Sequence, residues 1–228
     1  MFYYDSTYVL ILLGFIICMV AQGNVSRAFS KWDQVRSSTG LSGKEMARMI
    51  LDDNGMQDVS IEHVPGNLTD HYDPENGVLR LSDAVYSSRS VAALGVAAHE
   101  AGHAIQDAQD YFPLRFRSQL VPVANIGSQA SIPLFMMGLV FSWDPLVKIG
   151  IFCFAFAVLF TLVTLPVEFN ASGRALHLLE SGILPEEEVA GVRQVLRAAA
   201  MTYVASALQA ILQMVRLLIL SGNRRRRD

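Results

Sequence analysis

The sequence predicts an α+β fold class, in the form of a mainly helical, multi-pass membrane protein that carries one small polar domain with a short β-sheet. Two compositional observations support this prediction. Hydrophobic residues make up 52% of the 228 residues and charged residues only 17%, which departs from soluble averages toward membrane proteins. Several uncharged stretches are also long enough to cross a bilayer. The formal net charge of −3 gives no reason to expect a nucleic-acid partner.

The first apolar stretch, Ser6 to Ser26, contains no charge and is about long enough to span a membrane. Tyr3, Tyr4 and Tyr8 are placed like interfacial aromatic residues. A cleaved signal peptide begins with basic residues, whereas this sequence has none there and has Asp5 instead. We therefore predict an uncleaved N-terminal transmembrane anchor over residues 1–26.

Residues 27–117 form a polar segment long enough for one small domain. A capping box of Ser42 and Glu45 predicts a helix that ends near Asn54-Gly55. Val59 and Ile61 alternate with polar neighbours, as in a half-buried strand. The sequences around 71–72 and 78–81 flank the turn-forming residues 73–77, which predicts a β-hairpin.

A helix is predicted next, from about Arg89 to Gln109, with Ser87 or Ser88 as its N-cap. It carries an H-E-x-x-H motif whose histidines, His99 and His103, are four residues apart. Residues at i and i+4 lie on one helix face, so both imidazoles can reach one metal ion. Glu100 then lies beside the open metal position, where a carboxylate can accept a proton from water. Small neighbouring residues indicate close backbone packing, which also fits an ordinary core helix.

Two further uncharged stretches, Ser118 to Ser142 and Ile149 to Val167, predict a transmembrane helical hairpin over residues 118–167. The last segment, residues 201–228, combines an apolar helix with a basic tail, Arg224 to Arg227. Gln209, Gln213 and Arg216 share one face of that helix and should contact protein or water. Whether this helix spans the membrane or lies along its surface stays open.

A catalytic zinc site normally has three protein ligands, and Glu168 is the best candidate for the third. A two-span hairpin returns the chain to the side it left, so Glu168 emerges on the side of the histidine helix. We expect it on a helix over residues 168–200 that begins after Pro166, with Ser172 on nearly the same face. Without the histidine pair, Glu168 would be interpreted as an ordinary carboxylate at the membrane interface.

The stretches TDHYDPENGVLRLS, AAHEAGHAIQ, YFPLRFRS, LVPVANIGS and LPVEFNASGRAL resemble the YugP-like membrane zinc metallopeptidases over nearly the whole chain. The chain is more distantly similar to HtpX-type gluzincins, in which a glutamate stands in an E-x-x-A-D context. Here the last position of that context is Ser172 instead of aspartate, so a hydroxyl would orient a ligand histidine more weakly. The resemblance implies a zincin-like domain with Zn²⁺ on His99, His103 and Glu168, and with Glu100 as general base. Two imidazoles and one carboxylate would also suit Fe(II), Co(II) or Mn(II).

The expected activity is a membrane-bound zinc endopeptidase that cuts peptides or membrane proteins near the bilayer. His71, Tyr72, Arg174 and Tyr203 have the right chemistry to stabilise an oxyanion, whereas His63 and His177 are interpreted as bystanders. The strand with Val78, Leu79 and Arg80 is a candidate substrate-binding edge for strand addition, although an inner strand is an equally good interpretation.

Basic residues place the polar domain on the cytoplasmic side of the cell membrane. Arg27, Lys31 and Arg36 follow the first span, whereas the loop between the hairpin spans has only Lys148. If the last helix crosses the membrane, the basic tail lies on the outside, which is opposite to the side that basic residues prefer. Three alternative interpretations are an intramembrane protease, a catalytically silent zinc-binding scaffold or chaperone, and a coincidental motif in a transporter-like protein. The retained glutamate and the absence of a fourth ligand candidate favour an enzyme.

Overall fold

The computed structural model of the chain describes residues 6–225. Tyr3, Tyr4 and the end of the basic tail lie outside the described residues. The fold is mainly helical with one three-stranded sheet, as predicted. Its elements are α1 (Tyr8–Asp33), α2 (Gly43–Asp53), β1 (Ser60–Val64), β2 (His71–Asp73), β3 (Val78–Ser82), α3 (Val91–Ala108), α4 (Phe112–Val140), α5 (Asp144–Leu178), a π-helical turn (Leu179–Ile183) and α6 (Glu186–Arg225).

The chain divides into two compact units. The polar unit comprises residues 22–114 and 167–201, and it contains the sheet, α2, α3 and the largest hydrophobic core. The described part of the apolar unit comprises residues 6–21, 115–166 and 202–225.

The sheet has the order β1-β3-β2, so β3 is its middle strand. The predicted hairpin is confirmed, because β2 pairs antiparallel with β3 with Tyr72 opposite Leu79. The prediction that Val78, Leu79 and Arg80 form an open edge is wrong. The other side of β3 pairs in parallel with β1, which satisfies the backbone groups that a bound peptide would need. The inner-strand interpretation is therefore the correct one.

Helix α2 begins as predicted, with Ser42 as N-cap and Glu45 completing a capping box. It also ends where predicted, since Asn54 is the C-cap and Gly55 follows with a φ of +74°. A positive φ favours glycine at this position because it lacks a Cβ. The buried face of α2 packs against the sheet and α3 in the core of the polar unit.

Helix α3 begins two to three residues later than the predicted N-caps Ser87 and Ser88. The N-cap is Ser90, whose hydroxyl accepts a hydrogen bond from the amide of Ala93 at 3.1 Å. The same hydroxyl donates to the Asp33 carboxylate at 2.8 Å. This second partner comes from a distant part of the chain, so local sequence could not distinguish among three nearby serines.

Helix α5 does not stop at Pro166, contrary to the prediction of a new helix there. It is one continuous helix of 35 residues that contains both the apolar stretch 149–167 and Glu168. Proline removes one backbone hydrogen bond, a loss that long apolar helices tolerate when neighbouring groups compensate. Helix α6 also continues through the predicted boundary at residue 200 and runs for 40 residues.

Within residues 6–225, four helices are long and apolar enough to cross a membrane by length and composition: α1, α4, α5 with its π-helical extension, and α6. Within the apolar unit, α4 packs closely on α5, since a Cβ at Gly138 would lie 2.6 Å from the Val147 amide nitrogen. Arg216 donates to the Thr7 hydroxyl at 3.2 Å and Gln209 accepts from Cys18 at 2.9 Å. These two members of the predicted polar stripe thus contact protein. Cys18, like Cys153, is a free thiol and only partly buried.

Candidate metal centre

Close packing of α3 against α5 positions the candidate site inside the polar unit. A Cβ added at Gly102 would lie 2.8 Å from the Ala171 carbonyl oxygen, so only glycine permits this approach. Ala98 and Ala101 on α3, and Ala175 on α5, are fully buried at the same interface region of the core. The small residues noted in the sequence therefore allow the two backbones to approach each other.

This packing brings together the three side chains predicted as metal ligands. The Nε2 atom of His99 lies 3.3 Å from Oε2 of Glu168, and the Nε2 atom of His103 lies 3.6 Å from the same oxygen. All three ligand atoms lie within 4.8 Å of one another. Glu168 is 3% exposed, while the two histidine side chains keep 13% and 11% of their surface accessible. The arrangement is a buried carboxylate beneath two slightly open imidazoles.

The geometry and chemistry of this donor set fit zinc. A tetrahedral ion with ligand bonds of about 2.0–2.2 Å separates its ligand atoms by about 3.3–3.6 Å. The two nitrogen-to-oxygen separations, 3.3 and 3.6 Å, agree with that spacing. Two imidazole nitrogens and one carboxylate oxygen are also the ligand set of catalytic zinc sites that keep one open position.

Ser172 contacts the first histidine of the motif. Its hydroxyl lies 3.2 Å from Nδ1 of His99. A hydrogen on Nδ1 would be donated to this oxygen, which leaves Nε2 free to bind a metal. Ser172 is 9% exposed and lies one helical turn after Glu168 on α5. The side chain thus lies where the sequence analysis expected a group that orients a ligand histidine.

Gln106 makes the corresponding contact with the second histidine, and the sequence analysis did not identify it. Its Oε1 lies 3.0 Å from Nδ1 of His103. Its Nε2 donates to the carbonyl oxygen of Val167 at 2.8 Å and to Oδ1 of Asn170 at 2.9 Å. Since two acceptors fix the amide nitrogen, Oε1 must accept from Nδ1–H of His103, again leaving Nε2 for the metal. Gln106 is fully buried.

A polar network continues from Asn170 along α5. The Asn170 amide oxygen also accepts from Nε of Arg174 at 2.7 Å, and Nη1 of Arg174 donates to Oε1 of Gln109 at 2.7 Å. Arg174 was a candidate for oxyanion stabilisation, but its Nε and Nη1 donate to these two amides and it lines a cavity that does not include the candidate zinc ligands. The sequence signal for Gln106 was its position three residues after His103, on the helix face that carries both histidines.

The charges around His103 favour its protonated form. Burial of the ring opposes protonation, but the hydrogen bond to Glu168 and the negative charges of Glu100 and Glu168 outweigh it. The pKa of His103 therefore lies above its ordinary value. A metal cation would take the place of that proton between the imidazole and the carboxylate. Glu100 itself is 8% exposed.

The other residues considered for the site make contacts of their own. Tyr72 donates a hydrogen bond to Asp107 at 3.1 Å, and burial together with this carboxylate raises the pKa of Tyr72. His71 contacts the Thr69 carbonyl oxygen at 2.9 Å through Nδ1. His63 pairs with Asp83 and is thus engaged outside the metal cluster, in line with its interpretation as a bystander. Tyr203 belongs to the apolar unit.

Comparison with known proteins gives two consistent results. Residues 7–222 match the model of a family described as "Putative neutral zinc metallopeptidase". The chain is 46% identical over 206 residues to a protein of Bacillus subtilis (strain 168) named "Putative membrane protease YugP", an alignment that covers 90% of this chain and 92% of that protein. No solved structure matches the chain.

The family model covers nearly the whole chain, including α3 and α5 with the cluster of His99, His103 and Glu168. Zinc is therefore the cofactor of this chain. The four long apolar helices agree with the similarity of the chain to a protein named as a membrane protease. The chain therefore belongs to the family of neutral zinc metallopeptidases that its sequence motifs and its cluster of metal-binding side chains indicate.

Proposed function

We propose that this protein is a membrane-bound zinc endopeptidase that hydrolyses peptide bonds of membrane or membrane-proximal proteins. The observation that carries the proposal is the convergence of His99, His103 and Glu168 on one point, with Glu100 directly beside the first histidine. In this proposal the polar unit is a zincin-like catalytic domain, and His99, His103 and Glu168 are the zinc ligands.

The proposed chemistry assigns one task to each side chain. When bound, zinc would supply a Lewis acid that lowers the pKa of a water molecule toward about 7 and polarises the scissile carbonyl. Glu100 accepts a proton from the attacking water and later donates it to the departing amine. Ser172 and Gln106 hold the two imidazoles with Nε2 toward the ligand cluster. The partial exposure of the histidines provides access for a peptide.

Metal content and cleavage can test these assignments separately. The Glu100→Gln variant should keep about one zinc ion per chain and lose peptide cleavage, because it loses only the proton acceptor. The Glu168→Ala variant should lose both the bound zinc and peptide cleavage, because it removes a zinc ligand. Glu75→Gln and Glu187→Ala carry the same changes at exposed positions and should behave like the wild type. Zinc retained in Glu168→Ala would refute the ligand set, and cleavage retained in Glu100→Gln would refute the mechanism.

A zinc-binding scaffold without activity gives a different result in the same experiment. Zinc would then bind to wild type and to Glu100→Gln, and no peptide would be cut by either. Membrane-protein and soluble peptide substrates should both be offered to the detergent-purified full chain, since the substrate class is part of the proposal.

We further propose that the protein is multi-pass in the cell membrane, with α1, α4, α5 and α6 as spans and the polar unit in the cytoplasm. The lengths and apolar composition of these helices support the spans. The basic residues Arg27, Lys31 and Arg36 after the apolar part of α1 support the orientation, whereas the connection from α4 to α5 contributes only Lys148.

Cysteine labelling tests this topology. In a background with Cys18→Ala and Cys153→Ala, Ser142→Cys lies in the α4–α5 connection and Asn76→Cys in the turn before β3. A membrane-impermeant maleimide should label Ser142→Cys in intact cells and Asn76→Cys only after permeabilisation. The reverse pattern would show that the orientation is inverted.

A further inference from the structure

A cavity of about 450 Å³ lies in the polar unit beside α5, and its lining does not include the three candidate zinc ligands. Its volume is in the range of small-molecule sites. The helix α5 supplies Phe169, Gly173, Arg174 and His177, and α3 supplies Ile105, while Gln109 caps that helix. None of these residues has a role in the proposed peptide hydrolysis.

The polar side chains that line this cavity are one guanidinium, one imidazole and three amides. One of the amides, Asn54, donates its NH₂ group to the Ile50 carbonyl oxygen at 2.8 Å and keeps its own oxygen as an acceptor. Arg174 is its only permanent cation, and none of the described residues that line it is Asp or Glu. The amide oxygens of Gln109 and Asn170 both accept from Arg174, so each amide keeps its NH₂ group as the remaining polar group. A guanidinium and two amide donors without a carboxylate suit an anion with several acceptor oxygens, such as a phosphate.

Along α5, apolar residues come first and a cationic residue follows, in the same order as the acyl chains and the phosphate of a phospholipid. The apolar stretch of α5 ends at Val167, and Phe169, with 50% of its surface exposed, follows two residues later. The backbone of Arg174 lies about 10 Å beyond Val167 on a helix that rises 1.5 Å per residue, but its Nε donates to Oδ1 of Asn170. The guanidinium therefore reaches back toward the level of Asn170, three residues or about 4.5 Å beyond Val167. The headgroup layer on each side of a bilayer is about 5–8 Å thick. An exposed ring near the hydrocarbon and a cation near the phosphates is the arrangement that an anionic lipid requires.

We propose that this cavity binds the phosphate headgroup of an anionic phospholipid, with Phe169 against the start of the acyl chains and Arg174 on the phosphate. The inference rests on the proposed membrane span of α5. It does not depend on peptide hydrolysis. The Asn170 amide that bonds to Arg174 also bonds to Gln106, which contacts His103, so three residues would connect the lipid to a candidate zinc ligand in the hydrogen-bond network.

Two variants remove the site in independent ways. Gly173→Trp fills the cavity, because a Cβ at Gly173 has no neighbouring atom within 4 Å and the position is inside a helix. Arg174→Gln removes the cation and should weaken binding about tenfold or more, as expected for a charge-assisted hydrogen bond. The matched controls are Gly222→Trp, also without a neighbour within 4 Å, and Arg197→Gln on α6, which is exposed.

The experiment measures lipid retained by the full chain in neutral detergent, by native mass spectrometry, with phosphatidylglycerol or phosphatidylcholine added. We expect a preference for phosphatidylglycerol that both cavity variants lose and both controls keep. Equal retention by Gly173→Trp, Arg174→Gln and wild type would overturn the proposal. Competition by glycerol 3-phosphate at the same concentration as the lipid would also overturn the proposal, because it indicates a soluble phosphate ligand. Displacement of the lipid by an acidic peptide would overturn it too, because it indicates a substrate pocket.

Because no peptide is cut in this measurement, a failure of the lipid site and a failure of the protease proposal are distinguishable. The thermal unfolding midpoint of each variant should be recorded without lipid. A variant with a midpoint equal to that of the wild type and no lipid preference supports the site. If Arg174→Gln unfolds, because its bonds to Asn170 and Gln109 are lost, Gly173→Trp still decides the outcome.

Discussion

Gln106 offers the most direct test of how this structure prepares a zinc site. The Gln106→Leu variant keeps a side chain of similar size but removes the acceptor of Nδ1–H of His103 and both donors to Val167 and Asn170. Gln106 is fully buried, so water does not replace the lost partner of His103. An unsatisfied buried donor costs about 1–3 kcal/mol. Loss of a residue that orients a ligand histidine typically lowers metal affinity about 10- to 100-fold, which is about 1.4–2.7 kcal/mol.

We therefore expect the zinc dissociation constant of Gln106→Leu to rise about 10- to 100-fold. The Gln106→Glu variant separates orientation from stability. Its carboxylate still accepts from His103, but its other oxygen faces the Val167 carbonyl and Asn170 Oδ1, two acceptors. It should consequently retain more zinc affinity than Gln106→Leu while its unfolding temperature falls. Exposed Gln57→Leu is the matched control.

The assay is competition with a chelator of known zinc affinity, on the purified full chain in detergent, together with thermal unfolding of the apo form. The reasoning is refuted if folded Gln106→Leu binds zinc within about twofold of wild type, since an orientation role predicts a loss of about tenfold or more. A loss of affinity that simply follows the unfolding temperature across both variants would instead assign Gln106 a packing role.

Three further predictions concern the same unit. Ser172→Ala should weaken zinc binding about tenfold by freeing Nδ1 of His99, and Ser172→Asp should restore it, as measured by chelator competition. Gly102→Ala should lower the unfolding temperature and the zinc occupancy together, because the new methyl group would lie 2.8 Å from the Ala171 carbonyl. The pKa of Asp73 is lowered to about 2 by hydrogen bonds from the turn and from a neighbouring arginine, below its unfolded value of about 3.9. Its contribution to stability is thus complete above about pH 4 and disappears as the pH falls toward 2, so the stability difference between wild type and Asp73→Asn should shrink over that range.

The metal cluster could be predicted because each of its parts has a local or topological signal. The helical spacing of His99 and His103 places two imidazoles together, and the predicted two-helix hairpin was expected to return Glu168 to their side. The Ser172 contact followed from its position one turn after Glu168. Gln106 was missed because a glutamine on a helix is usually a solvated residue, and only the tertiary contact with Val167 shows that it is buried.

Features that depend on long-range pairing could not be predicted in the same way. The sequence identified β3, but its place in the middle of the sheet depends on parallel pairing with β1, which no turn between them encodes. Pro166 carries a strong local signal for a helix end, yet α5 continues. One lost hydrogen bond is small compared with the backbone groups that would need new partners if a long apolar helix were interrupted.

The continuity of α5 has a consequence for the zinc site. Glu168 directly follows Val167, whose carbonyl oxygen accepts from Gln106, and Gln106 in turn contacts His103. His103 and Glu168 are thus connected through Gln106 and Val167, by hydrogen bonds and one peptide bond, without any need for a metal ion. We therefore expect the site to be preformed without zinc, because Gln106 fixes the position of Glu168 relative to His103 in the absence of a metal ion.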